Sequence, residues 1–214
     1  MFIEMIDLLR CVNAHEDTWL VASFREITNR IVREGTLGCP ICHAEYEITN
    51  GVADFTRGQS IRSPDGASMG TGYPRDELAT RAGAFLDATQ PGATIVLGGQ
   101  WAYGAQELAD LVDVRVIALN APSEVKESER VGVVRIAGRI PLASSSVHGI
   151  ALDSSFPEAI LEEMLRVVKP GGRLVGASSF EPPDQARVLA RDESYWIAEK
   201  PAEVIALRRA KLSE

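Results

Sequence analysis

No apolar run in the chain reaches the roughly 20 residues of a membrane-spanning helix, so none is expected. The first residues, Met1-Phe-Ile-Glu-Met-Ile-Asp7, carry two acids and no basic start. No secretory leader is expected from them, and the cytoplasm is the expected compartment. Only three cysteines occur, a number that cannot pair fully within the chain. Their use points to metal rather than to disulfides. Basic residues are outnumbered, 22 Lys and Arg against 30 Asp and Glu, for a net charge of −8. About −3 of it falls on residues 1–62 and about −5 on the rest. Neither part offers a basic face, which disfavours nucleic-acid binding. There is no Ser-His-Asp order and no phosphate-binding P-loop. What remains is a soluble globular composition, 45% hydrophobic, with length for one ordinary domain and a small one.

The cysteines are grouped with histidine. Gly38-Cys39-Pro-Ile-Cys42-His43 holds a C-x-x-C pair, the spacing that lets two thiolates face one ion from a tight turn. Upstream lies Cys11-Val-Asn-Ala-His15. Cys11 and His15 complete a tetrahedral Cys3His set, and His43 competes with His15 for the fourth position. Zinc favours these ligands, and four protein ligands leave no open coordination position, so such a metal is structural.

The surrounding sequence is β-like. Residues 18–37 are rich in β-branched and aromatic side chains and suit a hairpin turning at Thr28-Asn29. Leu20, Phe24, Ile27 and Ile31 also fit one face of a helix. Tyr46 and Ile48 alternate as in a strand, Asn50-Gly51 is a hairpin turn signal, and residues 52–55 make a second short strand. Residues 5–11 read as a short helix or strand. Residues 57–73 are dominated by Gly, Ser, Pro and Asp without an apolar period, which marks a linker.

Beyond it, strands and helices alternate. A helix is expected over 76–86, a strand over 93–97, a glycine-bearing loop over 98–104 and a helix over 105–111. Strands follow at 114–119, 131–136 and 148–152. Ile160, Leu161, Met164, Leu165 and Val168 then share one face of an amphipathic helix that opens at Phe156-Pro157. Lys169-Pro-Gly-Gly172 stops it, with a glycine at positive φ. Residues 173–177 form the fifth strand. A short helix near 185–190 and an antiparallel pair, 195–198 with 204–208, close the chain. The alternation predicts an α/β fold on a parallel sheet, with ligands beyond the carboxyl ends of the strands. That places Gly98–Gly104, Asn120 and Asp153 around one cleft.

The run Leu165-Arg-Val-Val-Lys-Pro-Gly-Gly-Arg-Leu174 closely resembles the segment before the fifth strand of class I S-adenosylmethionine (SAM) methyltransferases. The order of elements over 76–210 fits their topology. The resemblance implies a Rossmann-like, mostly parallel seven-stranded sheet with a closing antiparallel hairpin, and SAM-dependent methyl transfer. The run Leu37-Gly-Cys-Pro-Ile-Cys42, with Tyr46, Ile48, Gly51 and Val52, resembles the zinc-ribbon proteins that activate tRNA and protein methyltransferases. That family usually has C-x-x-C in the first knuckle, where this chain has C-x-x-x-H. Together the resemblances imply a zinc-ribbon-like domain over 1–57, a linker over 58–75 and a methyltransferase-like domain over 76–214. Tyr73 becomes a candidate lid residue.

They also imply site residues. The metal ligands are Cys11, His15, Cys39 and Cys42. The cofactor contacts are Gly98, Gly99, Gln100, Gly104 and Asn120. The family's loop reads roughly acidic-x-Gly-x-Gly-x-Gly. Here Gly98 stands for the acid, Gln100 and Ala102 for the first two glycines, and only Gly104 is in register. Trp101 and Tyr103 add bulk. Asn120 replaces the acid that grips the ribose, which loses a charge-assisted bond. The run 135–141 lacks the acid that receives the adenine amino group, while Ile140-Pro-Leu142 keeps the family's turn. Asp153, ending the fourth strand, is the candidate catalytic group, and His148 starts that strand at the opposite end. Two readings follow. One is a methyltransferase-like protein with a weakened SAM site, a structural zinc and a methyl acceptor still to be named. The other is a non-catalytic methyltransferase-fold protein that binds or scaffolds a protein partner.

Overall fold

A computed structural model describes residues 1–61 and 73–202. The strand expected at 204–208 lies outside the described residues.

The α/β part is built on β5 (Ala93–Gly98), all six of whose residues are buried. Such a strand must be covered on both faces, as in parallel sheets. On one side lie β6 (Val114–Leu119) and β7 (Val131–Arg135), on the other β8 (Val147–Ala151) and β9 (Val168–Ala177). All these pairings are parallel. The chain leaves β5 in both directions, so the topological switch lies between the carboxyl ends of β5 and β8. Helix α1 (Arg75–Phe85) precedes β5, α2 (Ala105–Leu111) connects β5 to β6, and α3 (Ile160–Val167) connects β8 to β9. In α3 Ile160, Leu161, Met164 and Leu165 are buried, as their period predicts, whereas Val168 lies beyond the helix, at the start of β9. The helix opens at Ile160 rather than at Phe156. Residues 157–159 form turns whose carbonyls at Pro157 and Glu158 accept the N–H groups of Ile160 and Leu161.

Lys169-Pro-Gly-Gly172 is a bulge within β9 rather than a separate turn, because the pairing jumps from Val147–Val168 to Gly149–Arg173. Gly171 has φ 79 and donates its N–H to the Lys200 carbonyl at 2.7 Å. Gly172 serves closeness instead, since a Cβ there would stand 2.5 Å from the His148 carbonyl oxygen.

The expected helix near 185–190 is a strand, β10 (Arg187–Arg191), exposed along its whole length. It turns at Asp192, whose carboxylate accepts the N–H groups of Ser194 (2.7 Å) and Tyr195 (2.8 Å). β11 (Tyr195–Glu199) returns between β9 and β10, antiparallel to both. The partner strand decides β10, because strand preference depends on neighbours more than on local propensity.

Among the described residues the sheet has eleven strands, not seven. β1 (Val21–Thr28), β2 (Ile31–Gly38), β3 (Glu45–Thr49) and β4 (Val52–Asp54) extend it, and the full order is β1-β2-β3-β4-β7-β6-β5-β8-β9-β11-β10. The join is parallel, Val52 opposite Val133 and Asp54 opposite Arg135. Positive φ at Asn29 (49°) and Arg30 (64°), and at Asn50 (50°) and Gly51 (80°), gives both hairpins tight turns of the primed kind. The first turn thus lies one residue beyond the expected position. A 3-10 helix, Ile3–Leu8, packs on β7. Gly132 of β7 admits it, as a Cβ there would stand 2.5 Å from the Met5 sulfur. Met1, Phe2, Met5 and Leu9 accordingly share one apolar core with Val96, Val134 and Ile136. Among the described residues no helix is long and apolar enough to cross a membrane.

Candidate functional site

Cys39 and Cys42 occupy the turn between β2 and β3, and Cys11 and His15 precede β1. Their donor atoms all lie within 4.8 Å of one another. Cys11 Sγ is 3.6 Å from Cys42 Sγ, and Cys39 Sγ is 3.4 Å from His15 Nε2. Tetrahedral bonds of ~2.3 Å to sulfur and ~2.0 Å to nitrogen place ligand atoms about 3.5–3.8 Å apart. The four side chains could therefore hold a metal ion. His43 is outside the cluster. Its backbone is left-handed (φ 58) and closes the knuckle by donating N–H to the Cys39 carbonyl at 3.0 Å.

Neighbouring groups orient the donors. His15 Nδ1 lies 2.7 Å from the Glu16 carbonyl oxygen, which can only accept. The proton is thereby held on Nδ1 and the Nε2 lone pair faces the sulfurs, the arrangement usual for metal-bound histidine. The same bond raises the His15 pKa above its ordinary value. The Ala44 N–H is the largest influence bringing the Cys42 thiol down to about 6. Burial pushes the Cys11 thiol up, opposed by the Tyr46 hydroxyl 3.1 Å away. Asn13 Nδ2 donates to Cys42 Sγ at 3.1 Å. Sequence reasoning missed Asn13 and Tyr46; the position of Asn13 inside Cys11-x-x-x-His15 was the available signal.

At the carboxyl end of β5, residues 99–104 form a 3-10 helix, with Gly99 at φ 63. The segment after β8 covers the first two glycines. A Cβ on Gly98 would meet the Leu152 side chain and stand 2.8 Å from the Phe156 ring, and one on Gly99 would run into the Asp153 carboxylate. Asp153 Oδ2 accepts the Gln100 N–H at 2.6 Å. Its Oδ1 accepts the N–H (2.9 Å) and hydroxyl (2.5 Å) of Ser155. The Gln100 side-chain amide donates to the Tyr195 hydroxyl. Trp101, 1% exposed, packs between Phe85 and Tyr195 at ring separations of 6.1 and 4.9 Å. Burial first, and then the Asp153 charge, push the Tyr195 hydroxyl up to about 12. Gly104 is a packing glycine, since a Cβ there would stand 2.8 Å from the Ala79 nitrogen on α1.

Asn120, at φ 47 after β6, is buried. Its Oδ1 accepts the Ile136 N–H at 2.8 Å and its Nδ2 donates to the Ile136 carbonyl at 3.0 Å. Both ends of the amide are committed to backbone. Beside it opens a cavity of about 450 Å³ lined by Ile61, Asn120, Gly138, Ser155, Phe156 and Phe180, among others. Asp153 and the glycine loop thus meet at one point, and Asn120 lines the cavity together with Ser154, Ser155 and Phe156 of the segment that follows Asp153.

His148 stands at the other end of the sheet. Its Nδ1 accepts the Thr94 N–H at 3.1 Å, and its Nε2 lies 3.3 Å from Lys169 Nζ. Tyr73 stacks on the Arg81 guanidinium at 3.8 Å.

No family model matches the chain, and no curated protein matches it. Solved structures do, and methyltransferases recur among them. A candidate S-adenosyl-L-methionine-dependent methyltransferase from Methanococcus maripaludis is 15% identical, with 69% of this chain and 100% of that chain covered and a TM-score of 0.49. The complex of the Haloferax volcanii Trm112 methyltransferase activator with a candidate methyltransferase matches at 22% identity over 55% and 61% of the two chains, TM-score 0.41. The [4+2]-cyclase SpnF matches at 16% identity over 48% and 44%, TM-score 0.41. The chain spans about half the length of several proteins it matches. The likeness is one of fold, and no activity follows from it.

Proposed function

We propose that this chain is a methyltransferase-fold protein whose cofactor loop is filled by its own side chains, and that it serves as a binding or scaffold protein carrying a structural zinc. The observation that carries this reading is the Asp153 carboxylate lying in the cradle of Gly99, beside Phe156 on Gly98. Glycines in such a loop suit the close approach of a ligand to backbone. Here the approach is made by the segment after β8. A ligand entering the cradle must displace the Asp153 carboxylate and break the hydrogen bond it accepts from the Gln100 N–H. Bonds to charged groups are worth about 1.5–3 kcal/mol each. A ribose must also compete with Ile136 for Asn120. The residues present do not fit SAM, and no methyl-transfer step is assigned to Asp153.

The donor set does fit zinc. Cys11, His15, Cys39 and Cys42 would hold it, and the ion would cross-link the segment before β1 to the knuckle after β2. With four protein ligands it offers no open position for chemistry. Acidic composition supports a protein partner over nucleic acid.

The test is calorimetric titration with SAM and with S-adenosylhomocysteine. The expected dissociation constants are about 0.1 mM or weaker, since two lost contacts of ~1.5 kcal/mol each weaken a micromolar site roughly a hundredfold. Low-micromolar binding of either compound reverses the reading in favour of a working methyltransferase with an unusual loop.

A further inference from the structure

Asn13 lies between two proposed metal ligands and touches groups from three other places in the chain. Its Nδ2 donates to Cys42 Sγ at 3.1 Å, and its own N–H points to Cys11 Sγ at 3.5 Å. Its Oδ1 accepts from Arg57 Nη1 at 2.8 Å. Its carbonyl oxygen accepts from Arg139 Nη1 at 3.2 Å. The two arginines lead to two different segments that line the 450 Å³ cavity. Arg57 (φ 53) and Gly58 (φ 77) make the turn before Ser60 and Ile61, which line it. Arg139 follows Ile136, Ala137 and Gly138, which also line it. Arg139 further reaches Asp17 Oδ1 at 3.3 Å and Glu163 Oε1 at 3.8 Å. The loop between Cys11 and β1 is thereby tied to α3.

We propose that metal binding sets both of these cavity-lining segments through Asn13, so that the ribbon controls the shape of a site built by the other part of the chain. The proposal rests on the reading that the Cys3His cluster holds a metal. The physical chain is short. A metal fixes Cys11, His15 and Cys42, and the thiolates fix the Asn13 amide by charge-assisted N–H donation. The amide oxygen and backbone carbonyl then fix the two guanidinium groups. Without the ion, residues 13–16 keep only hydrogen bonds at the knuckle, while Val12 stays on the Tyr46 hydroxyl and the core, and Asp17 on Arg139 and Ser144. Segments tied only by exposed hydrogen bonds belong to the low-stability end of a structure. The Arg57 and Arg139 ends of the cavity walls then lose a fixed anchor. Ile136, held by Asn120, and Ile140, whose N–H Glu163 accepts, keep ties that do not depend on Asn13, so within 136–140 the loosening falls on residues 137–139 between them.

The test is hydrogen exchange read by mass spectrometry on the full chain, loaded with zinc or stripped with chelator, with cobalt uptake followed by its thiolate absorption. Stripping is expected to speed exchange about tenfold over 57–61 and 136–140, while β5 is unchanged. Asn13→Ala is expected to bind cobalt yet exchange in both segments like the stripped protein. Arg57→Met should loosen 57–61 alone, and Arg139→Met 136–140 alone, which keeps the test open should Asn13→Ala fold poorly. Cobalt uptake with wall exchange unmoved by stripping or by Asn13→Ala overturns this proposal and leaves the metal reading intact. Failure to take up cobalt or zinc overturns both.

Discussion

The Asp153 carboxylate occupies the space that a side chain on Gly99 would need, and it accepts the N–H of the next residue, Gln100, at 2.6 Å. Gly99 is therefore required twice, for its φ of 63° and for this close approach. Gly99→Ala is expected to cost about 2 kcal/mol or more, of which roughly 1 belongs to the left-handed backbone alone. In an Asp153→Ala background the steric part disappears, so the same change should cost about 1 kcal/mol. Denaturant unfolding of the four proteins of the cycle measures the difference. Additive effects within about 0.3 kcal/mol sink the claim that the carboxylate fills the cradle.

Much of the parallel sheet was legible because its strands are short, apolar and bounded by glycine, and because α3 keeps its period over two turns. That Cys11, Cys39 and Cys42 gather with a histidine was legible from spacing, apart from the contest between His15 and His43. That contest turns on the left-handed backbone at His43, which spacing does not reveal. Two features were hidden for one physical reason. The pairing of β4 with β7, and the seating of the Asp153 carboxylate against Gly99 within the cleft expected for both, join residues far apart in the chain. No local period encodes such contacts. β10 was misread because every residue in it is exposed, leaving no apolar alternation to mark a strand. Asn120 was legible as a polar group at a strand end. Its backbone partner Ile136 was not.

That partner makes a prediction about Asn120. Removing the amide leaves the N–H and carbonyl of Ile136 without their present partners beside a buried position. Asn120→Ala is expected to destabilise by about 2–3 kcal/mol, more than an ordinary surface change. Asn120→Asp, which would restore a ribose-gripping acid, is expected to destabilise as well. Its carboxylate accepts the Ile136 N–H but faces the Ile136 carbonyl with no proton to donate. Thermal unfolding at neutral pH checks both. An Asn120→Asp protein as stable as the parent, with SAM binding gained, means that the amide is free to serve a ligand.

Metal removal should be felt beyond the residues around the proposed metal site. Protein purified without chelator is expected to contain one zinc per chain by elemental analysis, and Cys39→Ser to lose it. At free zinc a thousandfold above its dissociation constant, the ion contributes about 4 kcal/mol. β4 pairs with β7, and residues 1–9 share the core of the α/β part. Unfolding of the stripped protein should therefore shift as a single transition to lower denaturant. Two separated transitions, the later one unmoved, would show that residues 1–57 fold as a unit of their own.

The last prediction concerns pH and uses a histidine far from both sites. Burial first, and Lys169 second, hold the His148 pKa below its ordinary value. Its Nδ1 accepts the Thr94 N–H, so protonation there must break that bond. A folded pKa below the unfolded one means that the unfolded chain takes up the proton first as pH falls. Stability from this group is therefore complete above about pH 6.5, the unfolded value, and is lost as pH falls through the folded pKa. The slope cannot exceed about 1.4 kcal/mol per pH unit, the limit for one proton. His148→Asn keeps an acceptor near the Thr94 N–H and removes the titration. It is expected to flatten the stability profile between about pH 5 and 7. Urea midpoints across that range, taken for both proteins with zinc in excess, make the comparison. Parallel profiles for the two would mean that His148 titrates alike in the folded and unfolded chain.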